Sequence, residues 1–370
     1  MTGAPSPRGP LAGLRVIEMA AIGPVPFAAM LLADMGADVV KIDRPVPVEG
    51  YGVINRGRSR LAIDLKSAAG QAQAIDLIAG ADVLLEGFRP GVMERLGLGP
   101  DAMLQRNPSL VYGRMTGWGQ DGPLAHAAGH DINYVAVSGA LAAMGPAQGP
   151  PALPLNLVGD YGGGALYLAL GVLAAVLSAR ETGRGQVVDA AIADGALSLM
   201  SVFYHFHQAG EWTLQRESNS VDGGAPFYGA FECADGAFVT VAPMELQFWA
   251  LFKQKLGLSD AFDRRDDRAC WPAMVDELRT LFLTRTRAQW CALLEGTDVC
   301  FAPVLTMAEA PDHPLFAQRD GFVPFEGAMV PAAAPRFSAT HTRVSDPERD
   351  EAADAVIARW SAPASSRPAG

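Results

Sequence analysis

A strand pattern, a helix pattern and a second strand pattern follow one another near the start of the chain. That order constrains the fold more than any other feature. Leu14 to Ala20 reads as a strand, Pro26 sits where the first turn of a helix tolerates a missing N–H, and the helix runs on to about Met35. Gly36 stops it, and Asp38 to Asp43 is the next strand. Two strands joined through a helix predict parallel pairing with a right-handed crossover. The pattern then repeats. Leu61 to Leu65 is a strand, Ser67 caps a helix to about Ala79, and Asp82 to Glu86 and Leu110 to Met115 are further strands. The fold class is α/β, a Rossmann-like large domain on a parallel sheet.

The first β-α turn narrows what such a sheet can bind. Ala21 to Pro26 holds one glycine and two prolines, so the backbone N–H groups that cradle a pyrophosphate are missing. NAD or FAD is not expected there. Further along, Ala225 to Cys233 and Ala237 to Ala242 flank an Ala-Asp-Gly turn and read as a hairpin. Helical patterns follow from Glu245 to about Leu256 and from Pro272 to about Glu295. These make a smaller α+β domain. The expected division is 1–220 for the large domain, 221–307 for the small one, and 308–370 for a segment that returns to the large domain and ends in a tail. Met1 to Gly9 is expected to be loose, and the chain to fray after Asp346.

The charge balance excludes some partners. The chain has 370 residues with 29 Lys and Arg against 40 Asp and Glu, a net charge of −11. A general nucleic-acid binder needs the opposite sign. The most apolar run, Ala165 to Ala179, would be about 22 Å long as a helix, short of a bilayer core of ~30 Å. It is expected to be a buried core helix, with no membrane involved. Cys233, Cys270, Cys291 and Cys300 form no CxxC pair, and no secretory signal opens the chain. Reduced thiols in a cytoplasmic protein are expected. His205 and His207 are two apart on a helix and point to different faces, and no HExxH occurs. No metal site is expected.

Three segments combine reactive side chains with useful backbone. Gly129-His-Asp-Ile-Asn-Tyr134 leads into an apolar helix ending near Gly145, so His130 stands at a helix N-terminus. The dipole there favours the neutral imidazole, fit to act as a base; a histidine bonded to a loop carbonyl is the plainer reading. Leu155 to Gly164 delivers Asp160 into a triple-glycine helix start, where Asp160 can cap the helix, act in catalysis, or both. Glycines there would let a substrate approach and leave N–H groups for an oxyanion. Val221-Asp-Gly-Gly-Ala-Pro226 could be a flexible loop over a site, with Glu245 opening the next helix. Basic residues collect early in the chain at Lys41, Arg44, Arg56, Arg58, Arg60, Lys66, Arg89 and Arg95. Several lie just past strand ends, where open α/β sheets bind ligands, so a polyphosphate pocket competes with plain solvation.

Taken in order, these segments resemble the α-methylacyl-CoA racemases of the family III CoA-transferase superfamily. The resemblance runs from about Leu11 to Phe337. It includes Gly36-Ala-Asp-Val-Val-Lys-Ile-Asp-Arg-Pro45, Glu86-Gly-Phe-Arg-Pro-Gly91 and Arg114-Met-Thr-Gly-Trp-Gly-Gln120. Its most specific part pairs Gly129 to Tyr134 with Val158-Gly-Asp-Tyr-Gly-Gly-Gly164, supported by Asp222-Gly-Gly-Ala-Pro-Phe-Tyr228. The departures are Lys41, often Arg, and Phe88, often Tyr.

The resemblance implies a catalytic His130 and Asp160, with Glu245 paired to the histidine. It places the CoA moiety against Arg44, the stretch Ile63, Asp64, Leu65 and Lys66, the stretch Gly87, Phe88 and Arg89, and Arg95. The residues Gly129, His130, Asp131, Ile132, Asn133 and Tyr134 would lie beside the thioester. It implies a family III fold, an interlocked homodimer whose active site lies between domains of different chains, and no cofactor beyond the CoA of the substrate. The implied reaction is epimerisation of 2-methylacyl-CoA through an enolate. The alternative is a CoA-transferase with Asp160 as nucleophile, which needs no histidine at 130.

Overall fold

Residues 9–46 and 52–361 are described by the computed structural model. The expected loose tail, Met1 to Gly9, falls outside them apart from Gly9. The chain begins with β1 (Arg15–Met19), α1 (Pro24–Asp34), β2 (Asp38–Asp43), β3 (Arg58–Ala62), α2 (Ala68–Ala79), β4 (Val83–Glu86), α3 (Pro100–Arg106) and β5 (Val111–Thr116). Next come α4 (Asp131–Val137), α5 (Leu157–Thr182), β6 (Val187–Ala191) and α6 (Ile192–Leu199). A second group follows: α7 (Ser201–Gln208), β7 (Gly229–Glu232), β8 (Phe238–Val241), α8 (Leu246–Leu256), α9 (Trp271–Phe282), α10 (Arg287–Leu294) and β9 (Phe301–Val304). The chain closes with β10 (Phe322–Phe325), β11 (Ala328–Pro331), β12 (Arg349–Asp350) and α11 (Ala353–Ser361).

These elements form two units. Among the described residues the first comprises 9–138, 154–199 and 319–361, and the second 139–153 and 200–318. The chain thus leaves the first unit after Leu199, earlier than the expected break at 220, and returns at Arg319.

In the first unit one sheet runs in the order β12-β3-β2-β1-β4-β5-β6, with every neighbouring pair parallel. Strands three to one and then four to six give the order of two joined βαβ halves. β12 adds an edge that the helix-strand pattern did not forecast. Successive residues of β1 feed different cores, as the strand pleat requires. Val16 packs with Ala28 and Leu32 of α1 and Leu168 and Val172 of α5. Ile17 and Met19 pack with Leu77 of α2, Met103 of α3 and Trp360 of α11. Ser67 caps α2 as expected, its Oγ accepting the Gly70 N–H at 3.0 Å.

Several expectations shift. The strand placed at 61–65 lies at 58–62, because Arg58 and Arg60 disguise it. Arg58 is fully enclosed, its Nε 2.9 Å from Glu18 Oε2, and its other nitrogens reach the carbonyls of Pro26, Ile54 and Arg56. The helix after His130 ends at Val137, well short of Gly145, and Gly139 turns the chain at φ +81°. The single helix expected over 272–295 is two, since Thr286 and Gln289 cap each other at the start of α10. The chain does not fray at Asp346: β12 pairs with β3, and Arg359 and Trp360 both bond to Asp38. In the second unit the hairpin β7–β8 gains a third strand, β9, whose Pro303 suits its place at the edge.

α5 also outgrows its expected 15 residues. It spans 26, roughly 39 Å at 1.5 Å per residue, and is long and apolar enough to cross a membrane. Length therefore does not argue against a span, as the sequence reading supposed. Half of its apolar window is buried within the fold. Leu166, Leu170 and Leu177 remain exposed on its outer side.

The Glu18–Arg58 pair is enclosed, so removing one partner strands the other. Arg58→Ala is expected to cost about 3–5 kcal/mol, read as a lower urea midpoint of the first unit, while Glu18→Gln combined with Arg58→Met recovers most of it. An unchanged midpoint in the single variant would show that the pair stabilises nothing.

Candidate functional site

The strand order reverses between β1 and β4, so the loops leaving their carboxyl ends diverge and open a crevice. A cavity of about 840 Å³ occupies it. Ala20 to Pro26 wall it after β1, Gly87 to Pro90 after β4, and Met115 to Trp118 at the end of β5. Gly129, His130, Tyr134, Asn156, Asp160 and Tyr161 complete the reactive side. Where they leave the strands the loops pack closely at one point, since a Cβ on Gly87 would lie 2.9 Å from Val25 and 3.3 Å from Ala21.

His130 is the residue just before α4, in extended backbone. Its N–H donates to Asn133 Oδ1 at 3.0 Å, and its carbonyl accepts the Asn133 N–H at 2.8 Å. The backbone is pinned while the imidazole stays exposed. One turn on, the Tyr134 ring fills hollows left by two glycines. A Cβ on Gly117 would lie 2.0 Å from that ring, and one on Gly129 2.8 Å from it. Trp118 meets the same ring edge-on at 4.6 Å.

Asp160 lies in the opening stretch of α5, Leu157–Ala165, which is wound as a π-helix, a distortion common at functional sites. Asn156 is the residue that precedes the helix, so Asp160 is not its N-cap. The capping acceptor comes from elsewhere. Asp131 Oδ1 takes the Asp160 N–H at 2.6 Å, and the same carboxylate accepts the Gly159 N–H. A Cβ on Gly159 would sit 2.3 Å from that oxygen.

Two further readings of the glycine run change with this. The Gly159 and Asp160 N–H groups are committed to Asp131 and are not left for an oxyanion. Nor does Gly163 mainly admit substrate: a Cβ on Gly195 of α6 would fall 1.8 Å from the Gly163 carbonyl, so the pair lets two helices touch.

Burial raises the Asp160 carboxyl above the usual carboxylate range; the weak 3.4 Å bond from Asn156 opposes this, the Asp131 charge adds to it, and His130 counters it. Burial likewise raises Asp131, against its two N–H bonds. Tyr134 is raised by burial and by the Asp160 charge.

The early basic residues separate into two groups. Lys41, Arg56, Arg58 and Arg60 are buried in ion pairs, Lys41 with Glu348 at 2.5 Å, Arg56 with Asp34 at 2.6 Å, and Arg60 with Asp43 and Asp350. They support the sheet, Lys41 also lining the cavity, and the eight do not form one polyphosphate pocket. Arg44, Lys66, Arg89 and Arg95 are exposed, with no ion pair among the described residues. Of these Arg89 lines the cavity; so do Gly87, Phe88, Gly129, His130 and Tyr134. Arg44, Ile63 to Lys66, Arg95 and Asp131 to Asn133 lie outside its lining, and the Ile63 side chain is in the core.

Glu245 belongs to the second unit, exposed just before α8. Arg265 holds that approach by donating to the Met244 carbonyl at 2.6 Å, its guanidinium 4.3 Å from the Phe227 ring. The Gly223-Gly224 segment is no loose flap. Asp222 accepts the N–H groups of Ser218, Asn219 and Gly224, and a Cβ on Gly224 would lie 2.5 Å from the Glu217 carbonyl carbon.

The family model for CoA-transferase family III matches residues 11–351. The chain belongs to CoA-transferase family III. It is 43% identical over 326 residues to the α-methylacyl-CoA racemase of Mus musculus, covering 88% of this chain and 85% of that one. Against the α-methylacyl-CoA racemase of Homo sapiens the figures are 42% over 327 residues, 88% and 86%. The solved structure of a CAIB/BAIF family protein from Brucella suis superimposes with a TM-score of 0.80 at 25% identity, covering 95% of this chain and all of that one.

Because the folded environment raises Asp160, its ionised form costs stability that the unfolded chain does not incur. That cost is absent below the unfolded carboxylate pKa, about 3.9, and grows as pH rises through the folded value. Asp160→Asn should therefore melt higher than the native chain at neutral pH, with the gain vanishing towards pH 3 in thermal scans. A lower melting temperature at neutral pH would mean that the carboxylate is stabilised where it stands.

Proposed function

We propose that the chain epimerises 2-methylacyl-CoA thioesters by moving one proton between the two faces of an enolate. The observation that carries the reading is that His130 and Asp160 line one cavity, with the Asp160 carboxyl biased by burial towards its protonated form. Inversion needs a base on one face and an acid on the other. Neutral His130 takes the α-proton from one epimer, and protonated Asp160 supplies one to the opposite face. The reverse reaction exchanges these roles.

A base alone does not suffice. If the α-proton is on the order of ten units less acidic than imidazolium, the enolate lies ~14 kcal/mol uphill. The proton transfer itself supplies part of the offset, because the imidazolium it creates stands beside the new negative charge. A transferase would need Asp160 ionised as a nucleophile, and burial pushes the carboxyl the other way.

The exposed cations Arg44, Lys66, Arg89 and Arg95 are the groups suited to CoA phosphates, and the thioester end takes the cavity beside His130. The proton transfer calls for no redox group. Glu245 as partner of His130 enters this reading from the family resemblance alone. The exposed leucines of α5 favour a homodimer, and the four free cysteines suit a cytoplasmic setting. The α-methylacyl-CoA racemases of mouse and man support both substrate class and reaction.

Replacing His130 by Ala should lower epimerisation by roughly 10²–10⁴-fold, with CoA-thioester binding within about threefold of the native chain. Asp160→Ala should do the same. Chiral chromatography of the acyl product and a thioester titration read both quantities; full activity in either variant would remove that residue from the reaction.

A further inference from the structure

The two acid/base residues are mechanically joined. His130 is followed in the chain by Asp131, and the Asp131 side chain reaches to the backbone that carries Asp160. We infer that Asp131 is a positioning residue for the proposed epimerisation: its carboxylate clamps the π-helical turn of Asp160 to the start of α4 and so fixes where Asp160 stands relative to His130. The inference rests on the epimerase reading and adds a group to which it assigns no proton.

Four observations support the clamp. The Asp131 Oδ1–Asp160 N distance is 2.6 Å, and the Gly159 N–H donates to the same carboxylate. The residue is 8% exposed, too enclosed to be a surface acid. Its carboxylate has no salt-bridge partner among the described residues; its recorded bonds are to those two N–H groups. Finally, Gly159 is required by the contact, since a Cβ there would sit 2.3 Å from the carboxylate. A charge enclosed beside a reactive carboxyl, bonded only to the backbone of that carboxyl, is costly unless its position serves the site.

The clamp has an electrical consequence as well. Asp131 is an anion close to Asp160, and like charge disfavours a second ionised carboxylate. Of the other ionisable groups, His130 acts in the opposite sense, Tyr134 is raised by the Asp160 charge and lowered by Arg89, and Arg89, Lys41, Asp43 and Tyr161 line the same cavity. The helices packed on the π-helical stretch add little. The first turn of α1 carries no acid, the Tyr167 hydroxyl of α5 is bonded to Ser198, and Asp194 of α6 acts on Asp189. Removing the Asp131 charge should thus make Asp160 more acidic and weaken it as a proton donor held ready.

Asp131→Asn keeps an oxygen for the two N–H groups but loses the charge, whereas Asp131→Ala loses both. Racemisation of a 2-methylacyl-CoA is followed across pH 4 to 9 for both variants and the native chain, with circular dichroism and melting to verify folding. For Asp131→Asn, in the direction where Asp160 donates, the expected result is a roughly 3–30-fold fall in kcat, little change in KM, and an alkaline limb displaced to lower pH. For Asp131→Ala the fall should exceed 100-fold. A merely structural role would lower folded yield without moving the alkaline limb of the Asn variant. Should the Ala variant fail to fold, the limb of the Asn variant still decides. Native rates in a folded Asp131→Ala would overturn the clamp, and native rates with an unmoved limb in Asp131→Asn would overturn its electrical consequence. An inactive native chain would instead sink the epimerase reading and leave the clamp to be judged by melting alone.

Discussion

A parallel sheet that reverses its strand order must leave a gap between the two loops at the point of reversal, because one crossover turns to each side. Here the gap lies between β1 and β4, and the residues that can carry chemistry are hung around it. The β1 loop contributes backbone thinned by Gly23, the β4 loop contributes Gly87 and Arg89, and β5 hands over to Gly117 and Trp118. His130 and Asp160 are not at strand ends. They are brought to the gap by α4 and α5, and the contact between those helices becomes a condition of function rather than of packing alone.

Glycine makes that contact possible. Gly159 admits the Asp131 carboxylate, Gly163 and Gly195 let α5 and α6 meet backbone to backbone, and Gly117 and Gly129 receive the Tyr134 ring. Each replaces a side chain with a neighbour's atoms, so the packing around His130 and Asp160 is close. Charges are organised with similar economy. The buried arginines at 56, 58 and 60 are spent on acids inside the first unit, and the cations left for a charged ligand are those at strand ends and loops.

Much of this was legible in the sequence. Apolar runs separated by a helix indicated the parallel sheet, since strands buried on both faces need continuous apolar residues. The pairing of Gly129 to Tyr134 with the Asp160 segment marked the site. What escaped were features set by contacts distant in sequence. β12 is two residues long, and nothing local announces it. Arg58 and Arg60 look like a solvated loop until Glu18 and Asp43 enclose them. Gly162 to Gly164 suggested open space for a ligand, whereas Gly163 packs on Gly195, some thirty residues on, and Gly164 on Ile192 and Pro24. The Asp131 clamp was hidden for the same reason: an aspartate at a helix start suits its own helix, and only the fold shows that it caps another.

The central claim is that one proton crosses from face to face of a bound thioester between His130 and Asp160. Proton NMR of a single-epimer 2-methylacyl-CoA in D2O, with the native chain and no carboxylate acceptor, tests it most directly. Face-to-face transfer gives loss of the α-proton signal together with growth of the opposite epimer. No exchange, followed by transfer of CoA from the thioester to an added carboxylate with release of the 2-methyl acid, would contradict it and make Asp160 a nucleophile.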